Sequence, residues 1–209
     1  MESLISRALS KHPEGLIQNI TPKSAGWKFV GFDVFKLLSG KSLEKETNNR
    51  EVCLVILSGK ASVSTKIKKW NQLGERESVF SRESGKKSKP PYAVYIPNED
   101  RFLVKALTDL ELAICSAPGK GSFPARLISP SDMTYEKRGE GTNKRYICNI
   151  LPETADADNL LVVEVITPNG NWSSYPPHKH DSDNLPEESF LEETYYHRLN
   201  PSQGFAFQR

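Results

Sequence analysis

The feature that most constrains this chain is the shortness of its apolar stretches. Residues 52–57 (VCLVIL), 92–97 (YAVYIP), 102–106 (FLVKA) and 110–115 (LELAIC) are rich in β-branched and aromatic side chains. Each is closed by Gly, Pro, Asn or Asp, the punctuation expected of strands. Residues 27–35 (WKFVGFDVF) and 61–64 (ASVS) read the same way. Helical periodicity is scarce, and 14 Pro and 13 Gly recur at short intervals. Many short strands closely spaced predict an all-β sandwich or barrel.

Bulk properties remove several function classes. A formal net charge of +2 over 209 residues sets up no field that would draw the chain to nucleic acid or membrane. The basic run Lys66-Ile67-Lys68-Lys69 is explained as a solvated strand face. No apolar run approaches the roughly 20 residues that cross a bilayer. The first residues lack the compact apolar core of a secretory leader. Cys53, Cys115 and Cys148 are far apart and odd in number, which predicts reduced thiols rather than a disulfide framework. These readings together predict a cytoplasmic protein with no nucleic-acid or membrane partner.

The texture changes after Pro118-Gly119-Lys120-Gly121, and a second strand series begins with residues 145–151 and 160–166. This predicts two units, residues 1–125 and 126–209. The second shows about four strands, and the chain stops inside the apolar segment 203–209 (QGFAFQR). The expectation is a second barrel incomplete at its C-terminus.

The chemistry is concentrated between Asn169 and Arg198. Three of the four histidines lie there, and His178 and His180 stand one residue apart. In a strand, positions i and i+2 share a face, so both imidazoles can converge on one ion. A second strand is expected over 191–198 (LEETYYHR). Folded against the first, it would bring a Glu near its start to the histidines. Two imidazoles and a carboxylate with open positions suit a divalent metal, compatible with Zn, Mn, Fe, Co or Ni. By alternation, His197 shares a face with Glu193 and Tyr195. Lys179 points away from both histidines on a regular strand. His12 reads as an exposed terminal residue.

The segment YPPHKHDSDNLPEESFLEETYYHRLNPSQGFAFQR resembles the signature of the 5-deoxy-glucuronate isomerases of myo-inositol catabolism. That family is in turn similar to the 4-deoxy-L-threo-5-hexosulose-uronate ketol-isomerases, within the cupin superfamily. Residues 26–32 (GWKFVGF), 145–153 (RYICNILPE) and 172–177 (WSSYPP) support the likeness. The resemblance implies a bicupin, two β-barrel or jelly-roll-like halves with the metal in the second. Residues 51–59 (EVCLVILSG) and 95–97 (YIP) echo cupin motifs in the first half, but no His-x-His precedes Glu51, so that barrel is expected to be metal-free.

Carried onto this sequence, the resemblance makes His178, His180 and Glu193 the ligands, with Glu192 the alternative carboxylate. Zinc and manganese head the metals it implies. No residue matches the fourth ligand, a late-strand His. The implied reaction is an aldose–ketose isomerisation of a sugar acid, from 5-deoxy-D-glucuronate to 5-dehydro-2-deoxy-D-gluconate. Glu192, Tyr195, Tyr196 and His197 are then the candidates for moving the proton, and Arg145 and Lys179 for holding the substrate carboxylate. A homo-oligomer is compatible with this reading. The competing expectations are a non-catalytic cupin that binds a sugar acid or metal, and an iron-dependent cupin dioxygenase.

Overall fold

Strand β4, Arg50–Ser58, explains the architecture. Every residue from 51 to 57 is buried, so the strand has apolar neighbours on both faces. A strand covered on one side would alternate instead, as residues 101–106 do. The computed structural model describes residues 5–9, 15–82, 88–173 and 179–208. In it, β4 lies inside a six-stranded sheet. From one edge to the other the order is β1 (Leu16–Ile20), β2 (Gly31–Leu37), β9 (Leu110–Pro118), β4, β7 (Ala93–Ile96) and β10 (Arg126–Ile128). All its pairings are antiparallel.

One face of this sheet packs against a four-stranded sheet ordered β3 (Ser42–Glu46), β8 (Arg101–Ala106), β5 (Ala61–Thr65) and β6 (Lys69–Leu73). In β8, Phe102, Val104 and Ala106 point inward and alternate with exposed Arg101, Leu103 and Lys105. They meet Phe35, Leu54, Ile56, Ile96 and Leu112 in the first core.

The other face carries Val34, Cys53, Val55, Tyr95 and Ala113. Met133, Cys148, Ile150, Leu151 and Leu160 cover it from the second part of the chain. Cys148, Ile150 and Leu151 belong to a three-stranded antiparallel sheet of β11 (Thr134–Arg138), β12 (Arg145–Leu151) and β13 (Val162–Ile166). The protein is therefore all-β, as its punctuation indicates. Residues 126–128 pair with β7, so the six-stranded sheet takes its last strand from just beyond Ala125.

Two buried polar contacts join the layers. The Glu51 carboxylate is fully buried. It accepts the backbone N–H groups of Asp158 (2.7 Å), Asn159 (2.6 Å) and Leu160 (2.6 Å), and the Tyr95 hydroxyl at 2.8 Å. Arg76, also buried, donates both terminal nitrogens to Glu164 on β13 at 2.9 and 2.7 Å, and its Nε to the Leu57 carbonyl. Such groups are tolerated inside only when fully bonded, and both are.

Two sequence expectations change here. Residues 27–35 are not one strand. A short helix, Pro22–Ala25, is capped by Thr21 and ended by Gly26 at φ 68°, and β2 begins only at Gly31. Residues 191–198 belong to no strand. A strand needs a neighbour for its ladder, and among the described residues this segment is held by side chains instead. Residues 205 and 207 are exposed phenylalanines outside any strand.

Candidate functional site

The segment from 192 to 197 keeps a period of two without a ladder. Glu192, Thr194 and Tyr196 are half-buried, whereas Glu193, Tyr195 and His197 are exposed. The inward set grips the first half of the molecule. Glu192 Oε1 accepts the N–H of Lys28 at 2.8 Å, and Oε2 accepts those of Phe29 and Val30 at 2.7 and 3.0 Å. Burial pushes this carboxyl upward, but the three amides outweigh it and hold it below its ordinary range. Arg50 fixes the same stretch from behind, donating to the Phe29 carbonyl at 2.5 Å and to the Ser116 carbonyl at 2.9 Å.

Four residues on, the Tyr196 hydroxyl donates to Glu111 on β9 at 2.8 Å, and its ring packs on Phe32 with centroids 5.8 Å apart. Arg198 pairs with the same Glu111 oxygen. Burial first, and then Glu111, push the Tyr196 phenol up to about 12. Thr194 Oγ1 is buried without a hydrogen-bond partner among the described residues.

The outward set forms its own chain of contacts. Tyr195 donates its hydroxyl to Glu193, and its ring stacks on His197 with centroids 6.0 Å apart and planes at 9°. The alternation expected for Glu193, Tyr195 and His197 is therefore present.

His178 lies outside the described residues. His180 does not continue a strand. Its φ is 71°, and it opens a turn rather than an extended pair. The reason is local. The Glu188 carboxylate accepts the N–H groups of Asp181 and Ser182, while Asn184 and Glu188 form a single antiparallel bridge. The ring is nonetheless placed. His180 Nδ1 sits 3.0 Å from the Ser189 carbonyl, which can only accept, so Nδ1 carries the proton. In the neutral ring, Nε2 then keeps the lone pair by which an imidazole binds a metal. The His180 carbonyl accepts the N–H of Leu191 at 3.1 Å, bringing the turn back beside Glu192.

The donor types fit a divalent ion, although the described residues gather no three-member His, Cys, Asp or Glu group. Glu193 is the better-placed carboxylate, because both oxygens of Glu192 are engaged by amides.

Between residues 26–29 and 181–193 runs a cleft of about 680 Å³. Trp27, Phe29 and Phe190 give it aromatic walls, Asp181, Asp183 and Glu193 give it negative charge, and Lys28 adds a cation among them. Such a lining offers walls to the apolar face of a sugar and acceptors to its hydroxyls.

The expected carboxylate binders lie elsewhere. Lys179 Nζ donates to the Glu187 carbonyl at 3.1 Å and lies 3.9 Å from Glu188, so it braces the turn. Arg145 is buried at the start of β12, with Nη1 on the Asn143 carbonyl and side chain. It stands directly across from Arg138 on β11.

The sequence pattern of the KduI/IolB family matches residues 4–209. The chain belongs to the KduI/IolB family. Relatives include the 5-deoxy-glucuronate isomerase of Geobacillus kaustophilus (strain HTA426), 55% identical over all 209 residues, which make up 74% of that protein. The 5-deoxy-glucuronate isomerase of Bacillus subtilis (strain 168) is 47% identical over 195 residues, 93% of this chain and 70% of the relative. Among solved structures, an IolB-like protein from Salmonella typhimurium LT2 superposes with a TM-score of 0.89 at 49% identity, covering 96% of this chain and 73% of that one. The chain thus spans about three quarters of the length of these family members.

The contacts that sequence reasoning missed are Lys28 to Val30, Glu111 and Glu51. Lys28–Val30 act through backbone N–H groups, which leave no trace in residue type. Glu111 sits in an apolar run, and a carboxylate there is a signal of a buried partner that could have been read.

Proposed function

We propose that this KduI/IolB family member is a 5-deoxy-glucuronate isomerase, converting 5-deoxy-D-glucuronate to 5-dehydro-2-deoxy-D-gluconate. The observation that carries this reading is the likeness, over all 209 residues given, to an isomerase of that name, joined to a cleft wall on which Glu193 stands beside His180's turn. His178, His180 and Glu193 are the residues that would hold a divalent metal, zinc or manganese first. Bound there, such an ion supplies Lewis-acid stabilisation of the negative charge that develops on the sugar oxygens.

An aldose–ketose exchange moves a proton between adjacent carbons. Of the four candidates for that task, Glu192 is committed to three amides and Tyr196 to Glu111. Tyr195, which donates to Glu193, and His197, stacked on it, stand on the outward face with Glu193, and we assign the proton transfer to this pair. Trp27, Phe29 and Phe190 offer the sugar its apolar contact in the cleft.

Lys28 is a cation on the cleft lining and can meet the substrate's carboxylate there. Arg145, buried on β12 beside Asn143, is the alternative for that end.

The test is metal content and turnover on the same preparations. Wild-type protein should bind close to one equivalent of Zn2+ or Mn2+ and isomerise 5-deoxy-D-glucuronate, with both lost in chelator and both restored by metal. His180→Ala and Glu193→Gln should bind at least tenfold more weakly while still unfolding cooperatively. Undiminished metal affinity in either variant would remove that residue from the ligand set. Metal and sugar-acid binding without turnover would turn the reading into the non-catalytic one.

A further inference from the structure

The first half of the molecule carries no His-x-His motif, and to the reading above it contributes only the cleft walls at residues 27–29. It nevertheless touches the segment that carries Glu193, at two points four residues apart. Glu192 docks on the amides of residues 28–30, and Tyr196 docks on Glu111 and Phe32. Sequence separations of 162–164 and 85 residues make these long-range contacts rather than consequences of local folding.

Between the two anchors stand Glu193 and Tyr195, on the opposite face of the same stretch. In a period-two segment, fixing one face fixes the direction of the other. The segment has no ladder to do this, so the anchors are its supports.

We propose that Glu192 is a positioning residue. Its carboxylate, seated on the Lys28, Phe29 and Val30 amides, aims the neighbouring Glu193 at the bound metal, and Tyr196 is the second, weaker anchor. The first half is thereby a working part of the site. The proposal rests on Glu193 as a ligand. It reassigns Glu192 from ligand or base to support, consistent with a carboxylate whose two oxygens already accept three hydrogen bonds. Arg50, holding the Phe29 carbonyl, keeps this amide cradle from turning away.

The test uses the whole chain with Glu192→Ala, Glu192→Gln and Tyr196→Phe. Three readouts are taken: hydrogen exchange of amides 28–30, calorimetric affinity for Zn2+ alone, and kcat against KM for 5-deoxy-D-glucuronate. Glu192→Ala should speed exchange at amides 28–30 at least tenfold, weaken Zn2+ at least tenfold and lower kcat more than it raises KM. Glu192→Gln keeps one acceptor oxygen but turns an NH2 toward an amide donor. It should fold and give an intermediate loss in all three readouts. Tyr196→Phe keeps the ring on Phe32 and should show a smaller loss.

Faster exchange at 28–30 with wild-type Zn2+ affinity and kcat would overturn the proposal. So would losses that only track a falling folded fraction in the Gln variant. If wild-type protein binds Zn2+ but isomerises nothing, the functional reading fails, and exchange and Zn2+ affinity still decide the role of Glu192.

Discussion

Glu51 accepts four hydrogen bonds in a place with no access to water. A carboxylate bears that burial because three amides and a phenol replace its hydration. Glu51→Gln presents an NH2 to a site built only of donors. Equilibrium urea unfolding should show a loss of about 1–3 kcal/mol, the cost of leaving buried groups unsatisfied. A loss below about 0.5 kcal/mol would mean that the loop at 158–160 is held by other contacts.

The phenols give a pH signature. Burial, then a carboxylate neighbour, raises Tyr196 to about 12, and burial likewise raises Tyr95 and Tyr135. For an acid whose folded pKa lies above its unfolded value near 10, the folded state keeps the proton longer. The stability this contributes is fully present below pH 10 and is lost as the pH climbs from 10 toward 12. Absorbance at 295 nm should show these three of the seven tyrosines ionising only as the protein unfolds. All seven titrating together near pH 10 with the fold intact would contradict the burial of these phenols.

Thiols follow the same logic. Burial raises Cys115 to about 12 and pushes Cys53 up as well, so neither should react with a disulfide reagent at pH 8 before denaturation.

At the scale of elements, the turn between β4 and β5 leaves no room for a side chain. Gly59 has φ 87°, and a Cβ there would stand 2.1 Å from the Asp109 carbonyl oxygen. Left-handed strain alone costs an ordinary residue about 1–2 kcal/mol, and the backbone clash adds to it. Gly59→Ala should therefore lower stability by more than about 2 kcal/mol in the same urea titration, and a change under about 1 kcal/mol would show that the turn can move aside.

Strands with β-branched cores and Gly or Pro at their ends were legible from the chain alone, because their local chemistry and their final environment agree. The all-β class and most of the strands of the first half followed from that agreement. Residues 27–30 and 191–198 read as strands for the same reason, since their side chains suit an extended backbone. What the chain could not show is which partner that backbone meets. Residues 28–30 give their N–H groups to a carboxylate, and 192–197 keep the alternation of a strand while bonding through side chains. The turn at His180 was hidden because it depends on Glu188, eight residues on.

At the scale of the whole molecule, the six-stranded sheet is shared property. Its two faces belong to two cores, one closed by the four-stranded sheet and one by the second part of the chain. Arg76 and Glu164 tie β13 to the first half, with Arg76 only 2% exposed. Removing one partner of a buried pair strands the other charge, at a cost of about 3–5 kcal/mol. Arg76→Met should cost somewhat less, because Glu164 keeps partial contact with water. Its calorimetric melt should lose the single transition of the wild type and show the second part melting first. A single transition at the wild-type temperature would mean that the apolar layer alone joins the halves.

We propose for this chain a metal-dependent isomerisation in which the carboxylate ligand, Glu193, is aimed by contacts to the opposite half. The most direct measurement is NMR of 5-deoxy-D-glucuronate incubated with the protein, with and without chelator and with Glu193→Gln in parallel. The aldehyde signal of the substrate should be replaced by that of the ketose in the metal-loaded wild type, and should persist unchanged in chelator and in the variant. Conversion that survives both chelator and Glu193→Gln would contradict the account.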